Sequence, residues 1–323
     1  MPNALTIATI SGRILQSYYM LKEASGSMFA KRITVLFFLV CSFIGSKADD
    51  ATDLIIFSYD RPMQLYALLE SIKQYVTGIE NTYVVYRVSD ERFEQSYQFV
   101  NADFDHIVFC RQGSEPHKDF KPMTESLLLS SPHDYLLFAV DDIIVTDAID
   151  LKSCIYALQQ TGAYGFYLRL GANVTECYMC NCEQPLPPLT TISSGIYSWI
   201  LREGKYDWGY PNTTDMTLYK KSDIVGIICS LPYRAPNSLE MVWSRQATLV
   251  NNRKALCFTH SKIVNVPLNL AQQEYTNNRN MKGLSTQEML GLFEKGLKID
   301  IAPLHKIDNK GAHMEYEFSF IAR

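Results

Sequence analysis

Four apolar runs between residues 53 and 140 constrain this chain more than any other feature: "DLIIFSY", "TYVVYRV", "DHIVFC" and "DYLLFAV". Helix-length segments separate them. Leu65, Leu68, Leu69, Ile72 and Val76 recur at spacings of three and four, with Pro62 placed for a first helical turn. Glu91 to Val100 and "DFKPMTESLLLSS", with Pro122 near its start, supply two further helices. Strand, helix, strand, helix, strand, helix, strand is the order that builds a parallel sheet covered on both faces, an α/β architecture. Ligands of such sheets bind at the carboxyl ends of the strands.

That rim carries "SYDRP", "VSDE" and "VDDI", so three acid-bearing strand ends converge on it. The third poses the sharpest question. In "LLFAVDDIIVTD" an apolar run is broken by Asp141 and Asp142 and then resumes. Burying one unpaired carboxylate costs several kcal/mol. Either the run ends in a solvated turn, where Asp is common, or something positive sits against the pair. An acidic pair at a buried strand end suits a divalent metal with oxygen ligands, Mg²⁺ or Mn²⁺, and such a metal suits a diphosphate. Arg61 and Lys121 stand at strand-end or helix-start positions where a uracil or a phosphate is met, or where a surface ion pair forms.

Beyond this rim the pattern changes. A helix over Asp150 to Gln160 leads to "AYGFYLRL", then to the irregular stretch "GANVTECYMCNCEQPLPPLTTISSG". So long an irregular segment is usually a functional loop. Its "CYMCNC" (177–182) offers three thiols without a CxxC partner, which favours a disulfide over a structural zinc. Seven cysteines outside Cys41 cannot all pair within one chain. "APNSLEMVWSRQATLV" and a helix opening on the capping box Ser285 to Glu288 follow.

The N-terminus is set aside from the fold. From Met28, Lys31 and Arg32 precede an apolar run from Ile33 to Ile44, followed by Ser46, Lys47 and Ala48. This is the layout of a secretory signal peptide, which predicts export; an N-terminal anchor using residues 31–45 is the second choice. Met28 is read as the start, or residues 1–27 as a dispensable leader. Domain boundaries follow: residues 1–48 as leader and signal or anchor, 49–265 as the main domain, 266–323 as an extension packing on it. A net charge of -4 without a Lys/Arg cluster argues against nucleic acid as a partner.

Over residues 53–265 the chain resembles nucleotide-sugar glycosyltransferases of GT-A fold, particularly bacterial ones of the inverting type. The resemblance is a string of short matches. "LIIFSYDRPMQLYALLESI" looks like their first strand and helix, where base and ribose sit, which implicates Tyr59. "VSD" looks like the second strand end, whose Asp90 contacts the base. "YLLFAVDDIIV" looks like the strand carrying the DxD-type motif, although Val140 fills a position that is often acidic. The resemblance implies that Asp142 ligates the metal and that Asp141 binds ribose or reaches the metal through water. Glu240 in "APNSLEMVW" corresponds to the acid that deprotonates the attacking hydroxyl, although Asn237 and Glu240 also have capping-box spacing. "YDWGYPNTTDMTLYKKSDI" resembles an acceptor segment, with Trp208 as a sugar platform and Asp207 and Asp215 as hydroxyl acceptors; core packing and turn capping are the alternatives. His260 is compatible with a metal ligand downstream of the base, and His313 competes for that role.

The expectation is therefore a GT-A-like, Rossmann-type, mostly parallel sheet with a donor half (49–145) and an acceptor half (146–265). It would be a metal-dependent glycosyltransferase taking a nucleotide-sugar donor and a glycan or other hydroxyl acceptor. The rivals are a nucleotidyltransferase, against which "SYDRP" lacks a phosphate-loop glycine, and an exported glycan-binding protein derived from a transferase.

Overall fold

The structure is a computed structural model that describes residues 50–269 and 283–323. Residues 49–323 form one compact unit. The leader, the signal-like run and the membrane association expected of residues 31–45 lie outside the described residues.

The four apolar runs become β1 (Thr52–Tyr59), β2 (Ile79–Arg87), β3 (Val108–Arg111) and β4 (Tyr135–Val140). They lie side by side in the order β3-β2-β1-β4, all parallel. Helices α1 (Pro62–Tyr75), α2 (Glu91–Asp103) and α3 (Pro116–Ser130) connect them. Alternation along β1 shows why both faces are covered. Leu54 and Ile56 join one core cluster with Leu65, Leu68 and Tyr97 of α1 and α2, while Ile55 and Phe57 join another with Phe120 and Leu128 of α3. Each such side chain removed from water contributes ~1.5–3 kcal/mol, so a strand apolar on both faces is held from both sides. The α1 stripe is as its spacing predicts, but the helix stops at Tyr75, one residue short of Val76. α3 begins at Pro116, which leaves Pro122 inside the helix rather than near its start.

The second half of the sheet is mixed. The strands β6 (Gly165–Tyr167), β7 (Thr190–Ser193), β8 (Ile196–Ile200), β9 (Thr217–Lys220) and β10 (Lys254–Phe258) extend it beyond β4 in the order β9-β6-β10-β8-β7. β9 is antiparallel to both β4 and β6. Helices α4 (Leu151–Thr161), α5 (Lys221–Ser230) and α6 (Pro236–Ser244) cover this half. The α/β class and the flanked central sheet agree with the sequence reading, and the parallel part falls within residues 49–145.

The run "IIV" after the two aspartates has a separate fate. It forms β5 (Ile143–Val145), which leaves the main sheet and pairs antiparallel with β11 (Ile263–Asn265). All three β5 residues are buried, so the acidic pair marks a corner between two sheets rather than an exit to solvent. Past β11, Asn265 N donates to Ala312 O (3.0 Å) and Met314 N to Asn265 O (3.0 Å), which brings the C-terminal segment against the corner. Helix α7 (Thr286–Glu294) opens on the expected capping box, with Ser285 N donating to Glu288 Oε2 (2.8 Å) and Glu288 N to Ser285 Oγ (3.2 Å).

The cysteine-rich stretch departs from expectation. Glu176–Cys177 and Cys182–Glu183 form a small hairpin, and the seven cysteines of the described residues are free thiols. The loop residues Asn173 and Asn212 are buried, Asn173 bonded to Ser261 and Asn309, and Asn212 to Tyr164 and Trp243.

Candidate active site

A cleft of about 1040 Å³ opens over the carboxyl ends of β1, β2 and β4. Eight of the residues singled out from the sequence line it: Tyr59, Arg61, Asp141, Asp142, Asp207, Asp215, Glu240 and His313.

Its first end is organised by Arg61, just before α1. One guanidinium nitrogen, Nη1, donates to Asp141 Oδ1 (3.0 Å) and to Asp142 Oδ2 (3.1 Å). Nε donates to Asn269 Oδ1 (2.9 Å), and Nη2 to the Asn269 carbonyl. Asp141 Oδ2 accepts from Ser58 Oγ (2.8 Å) and Tyr59 N (3.2 Å). Both oxygens of Asp141 are thus engaged. Asp142 Oδ1 is buried without a hydrogen-bond partner. Burial pushes the Asp142 carboxyl up to about 6; Arg61 pulls it down, and Asp141 and Asp215 push it further up. The positive group that two adjacent buried aspartates require is therefore Arg61. Beside it, Arg87 lies over the Tyr59 ring at 4.4 Å.

The other end is built from β9, α6 and the turn Tyr206–Gly209. Pro236 starts α6, whose first turn is closed by Ser238 Oγ accepting from Ala235 N (2.9 Å). Asn237 is therefore not the cap, and Glu240 is free of the capping-box role that its spacing allowed. Its Oε2 accepts from Thr214 Oγ1 (3.4 Å). Burial raises the Glu240 carboxyl to about 7, Asp215 adds to the rise, and Thr213 and Arg169 oppose it. Asp215 faces His313 Nε2 at 3.8 Å and accepts from Asn265 Nδ2 at 3.5 Å. Asp207 lines the cleft with both oxygens committed, Oδ1 to Arg169 (3.4 Å) and Oδ2 to Gln184 Nε2 (3.1 Å).

Four residues read as site candidates lie elsewhere, each for a visible reason. Asp90 caps α2, its Oδ1 accepting from Arg92 N (2.9 Å) and Phe93 N (3.2 Å). Lys121 ties α3 to the end of α5, donating to Leu231 O (2.8 Å) and Cys229 O (3.3 Å). Trp208 is fully buried, its Nε1 donating to Val174 O (3.1 Å), so it offers no face to a sugar. His260 is exposed and stands outside the cleft lining, whereas His313 lines it. Sequence reasoning missed Ser58, Arg87, Arg169 and Asn269. The only signal for Arg169 was an arginine inside the apolar run "FYLRL".

Among the described residues no three of His, Cys, Asp and Glu are grouped so as to hold a metal by themselves. The buried, unpartnered Asp142 Oδ1 nevertheless fits a cation whose remaining ligands come from substrate and water, the usual habit of Mg²⁺.

No family model matches the chain. The bifunctional glycosyltransferase pgtA of Dictyostelium discoideum is 28% identical over 256 residues, covering 69% of this chain and 33% of pgtA. The chain thus spans about one third of that relative's length. Among solved structures, S. aureus TarS is 14% identical with a TM-score of 0.44, over 64% of this chain and 35% of TarS. Its 1–349 fragment in complex with UDP is 13% identical with a TM-score of 0.45, over 65% and 58% of the two chains. The resemblance to glycosyltransferases read from short motifs is matched by pgtA, a relative of that description.

Proposed function

We propose that this chain is a glycosyltransferase that moves a sugar from a nucleoside-diphosphate donor to a hydroxyl of a glycan or other acceptor. The observation that carries the reading is the placement of Glu240. A partly buried carboxylate, raised to about 7 chiefly by desolvation, lines the same cleft as the acidic corner of β4. A general base is most effective when its pKa lies near the working pH. The similarity to pgtA supports the same reaction class.

In this reading Glu240 takes the proton of the acceptor hydroxyl. The freed oxygen forms a bond to the anomeric carbon while the bond from that carbon to the diphosphate breaks, its electron pair leaving on the phosphate oxygen. Attack from the face opposite the leaving group inverts the centre. Tyr59 and Arg87, at adjacent strand ends, frame the nucleoside. Asp141 holds Arg61 and the end of β1 in place. A divalent cation, Mg²⁺ or Mn²⁺, would be held by Asp142 and would neutralise charge on the departing diphosphate when bound. Asp215 and His313 lie toward the acceptor, and Asp207 acts on the acceptor end through the turn that it anchors. Export, as the N-terminal layout predicts, would place this chemistry in a lumenal or periplasmic compartment.

Calorimetric titration with UDP, with and without Mn²⁺, tests the donor end, followed by a panel of UDP-sugars assayed for UDP release. Binding that tightens with Mn²⁺ and weakens in Asp142→Asn is the expected result. Absence of UDP binding under both conditions would overturn the reading and favour a glycan-binding protein without catalysis.

A further inference from the structure

Arg169 follows β6 and is 2% exposed, yet it lines the cleft. Its Nη1 meets Asp207 Oδ1 at 3.4 Å, and its Nη2 donates to the carbonyls of Asp207 (3.2 Å) and Tyr210 (3.0 Å). The guanidinium carbon stands 6.0 Å from the centre of the Tyr210 ring. Its Nε–H is buried without a partner. A buried arginine is costly unless its charge and its donors are met. One carboxylate, already shared with Gln184, meets part of that charge; Asp215 and Glu240 are the other acids facing it.

We infer that Arg169 is a positioning residue of the proposed transfer: it seats the turn 206–210 that frames the acceptor end and keeps Glu240 able to shed its proton at neutral pH. The inference rests on the role given to Glu240 above. The geometry explains why one arginine serves both ends of the task. The fork that grips two carbonyls of the turn also places a fixed positive charge among three acids, which an ammonium group on a flexible stem matches in charge but not in hydrogen bonds. Every charged or titratable group that faces Glu240 enters the balance. Asp215 disfavours its ionised form, Arg169 favours it, and Tyr210 lies close enough to respond to its charge. Arg234, ahead of α6, and His313 line the same cleft. α6 itself bears no other charged residue.

The test is a ¹³C-detected NMR titration of the Glu240 carboxyl, assigned by its loss in Glu240→Gln, in wild type, Arg169→Lys and Arg169→Met. UDP binding is recorded for each as the measure of an intact donor end. In Arg169→Met the Glu240 titration should move upward by on the order of one unit or more. Arg169→Lys should restore the wild-type titration, while its rate of UDP release from the sugar donor falls at least about tenfold because the fork is lost. Should Arg169→Met lose its UDP binding, Arg169→Gln, uncharged but still hydrogen-bonding, carries the same comparison. An unmoved titration in the neutral variant, or one displaced equally in Arg169→Lys, overturns the inference. A titration that moves as stated, in a protein that consumes no UDP-sugar at any pH, would count against the transfer reading alone.

Discussion

The two ends of the cleft hold their carboxylates by different means. At the β4 corner, Asp141 and Asp142 share one guanidinium nitrogen at 3.0 and 3.1 Å, and Ser58 and Tyr59 N fill the remaining oxygen of Asp141. At the α6 end, Glu240 accepts from Thr214 Oγ1 at 3.4 Å and is hydrogen-bonded by the Thr213 side chain and the Thr214 backbone, with a like-charged neighbour in Asp215 and no cation bonded to it. Adjacent acids are held together by a cation in the first case. Separate acids are left under-neutralised in the second. The difference teaches that the corner is built to keep its geometry, whereas the α6 end keeps a proton available for exchange.

Removing the cation is the largest way to break this contrast. Arg61→Met leaves two buried carboxylates facing each other and should lower unfolding stability by ~3–5 kcal/mol, read from the urea midpoint. An unchanged midpoint would mean that the pair is not held by Arg61. The contrast sharpens at Glu240, which has no guanidinium bonded to it. Its folded pKa of about 7 lies above the ordinary 4.5, so the folded state binds more protons than the unfolded state between those values. Stability is therefore lost as pH rises through that window. Glu240→Gln should be more stable than wild type by about 1–3 kcal/mol at pH 8 and indistinguishable from it near pH 4. Equal stabilisation at both pH values would contradict the assignment. The smallest effect belongs to the shell of the corner. The Tyr97 hydroxyl bridges Ser58 Oγ and Arg61 N, and Tyr97→Phe should cost ~0.5–1.5 kcal/mol in the same denaturation assay.

The parallel half of the sheet was legible in the sequence because its strands are apolar on both faces and its helices carry clean stripes. The corner was legible for the same reason: two aspartates inside a run that is otherwise buried demand a partner. The partner's identity was not, since Arg61 lies eighty positions from Asp141, and only the pairing of β1 with β4 makes them neighbours. Local signals misled where a side chain had two local uses. Asp90 reads equally as a strand-end ligand and as a helix cap, and the two free backbone N–H groups of α2 decided for the cap. Trp208 reads as a platform, but a tryptophan in a tight turn buries its area wherever the core is open to it. His260 and His313 could not be separated without the bridge between Asn265 and His313, which joins segments far apart in sequence.

The central claim is that Glu240 is the proton acceptor of a sugar transfer, and its pH dependence tests it most directly. UDP release from sugar donors, followed from pH 5 to pH 9 in wild type and Glu240→Gln, should rise in wild type through about pH 7, where the Glu240 carboxyl ionises. The variant should bind UDP as wild type does and lose roughly 10²–10⁴-fold in turnover, with the rise abolished. A variant that turns over at the wild-type rate, or that keeps the same rise, would contradict the account.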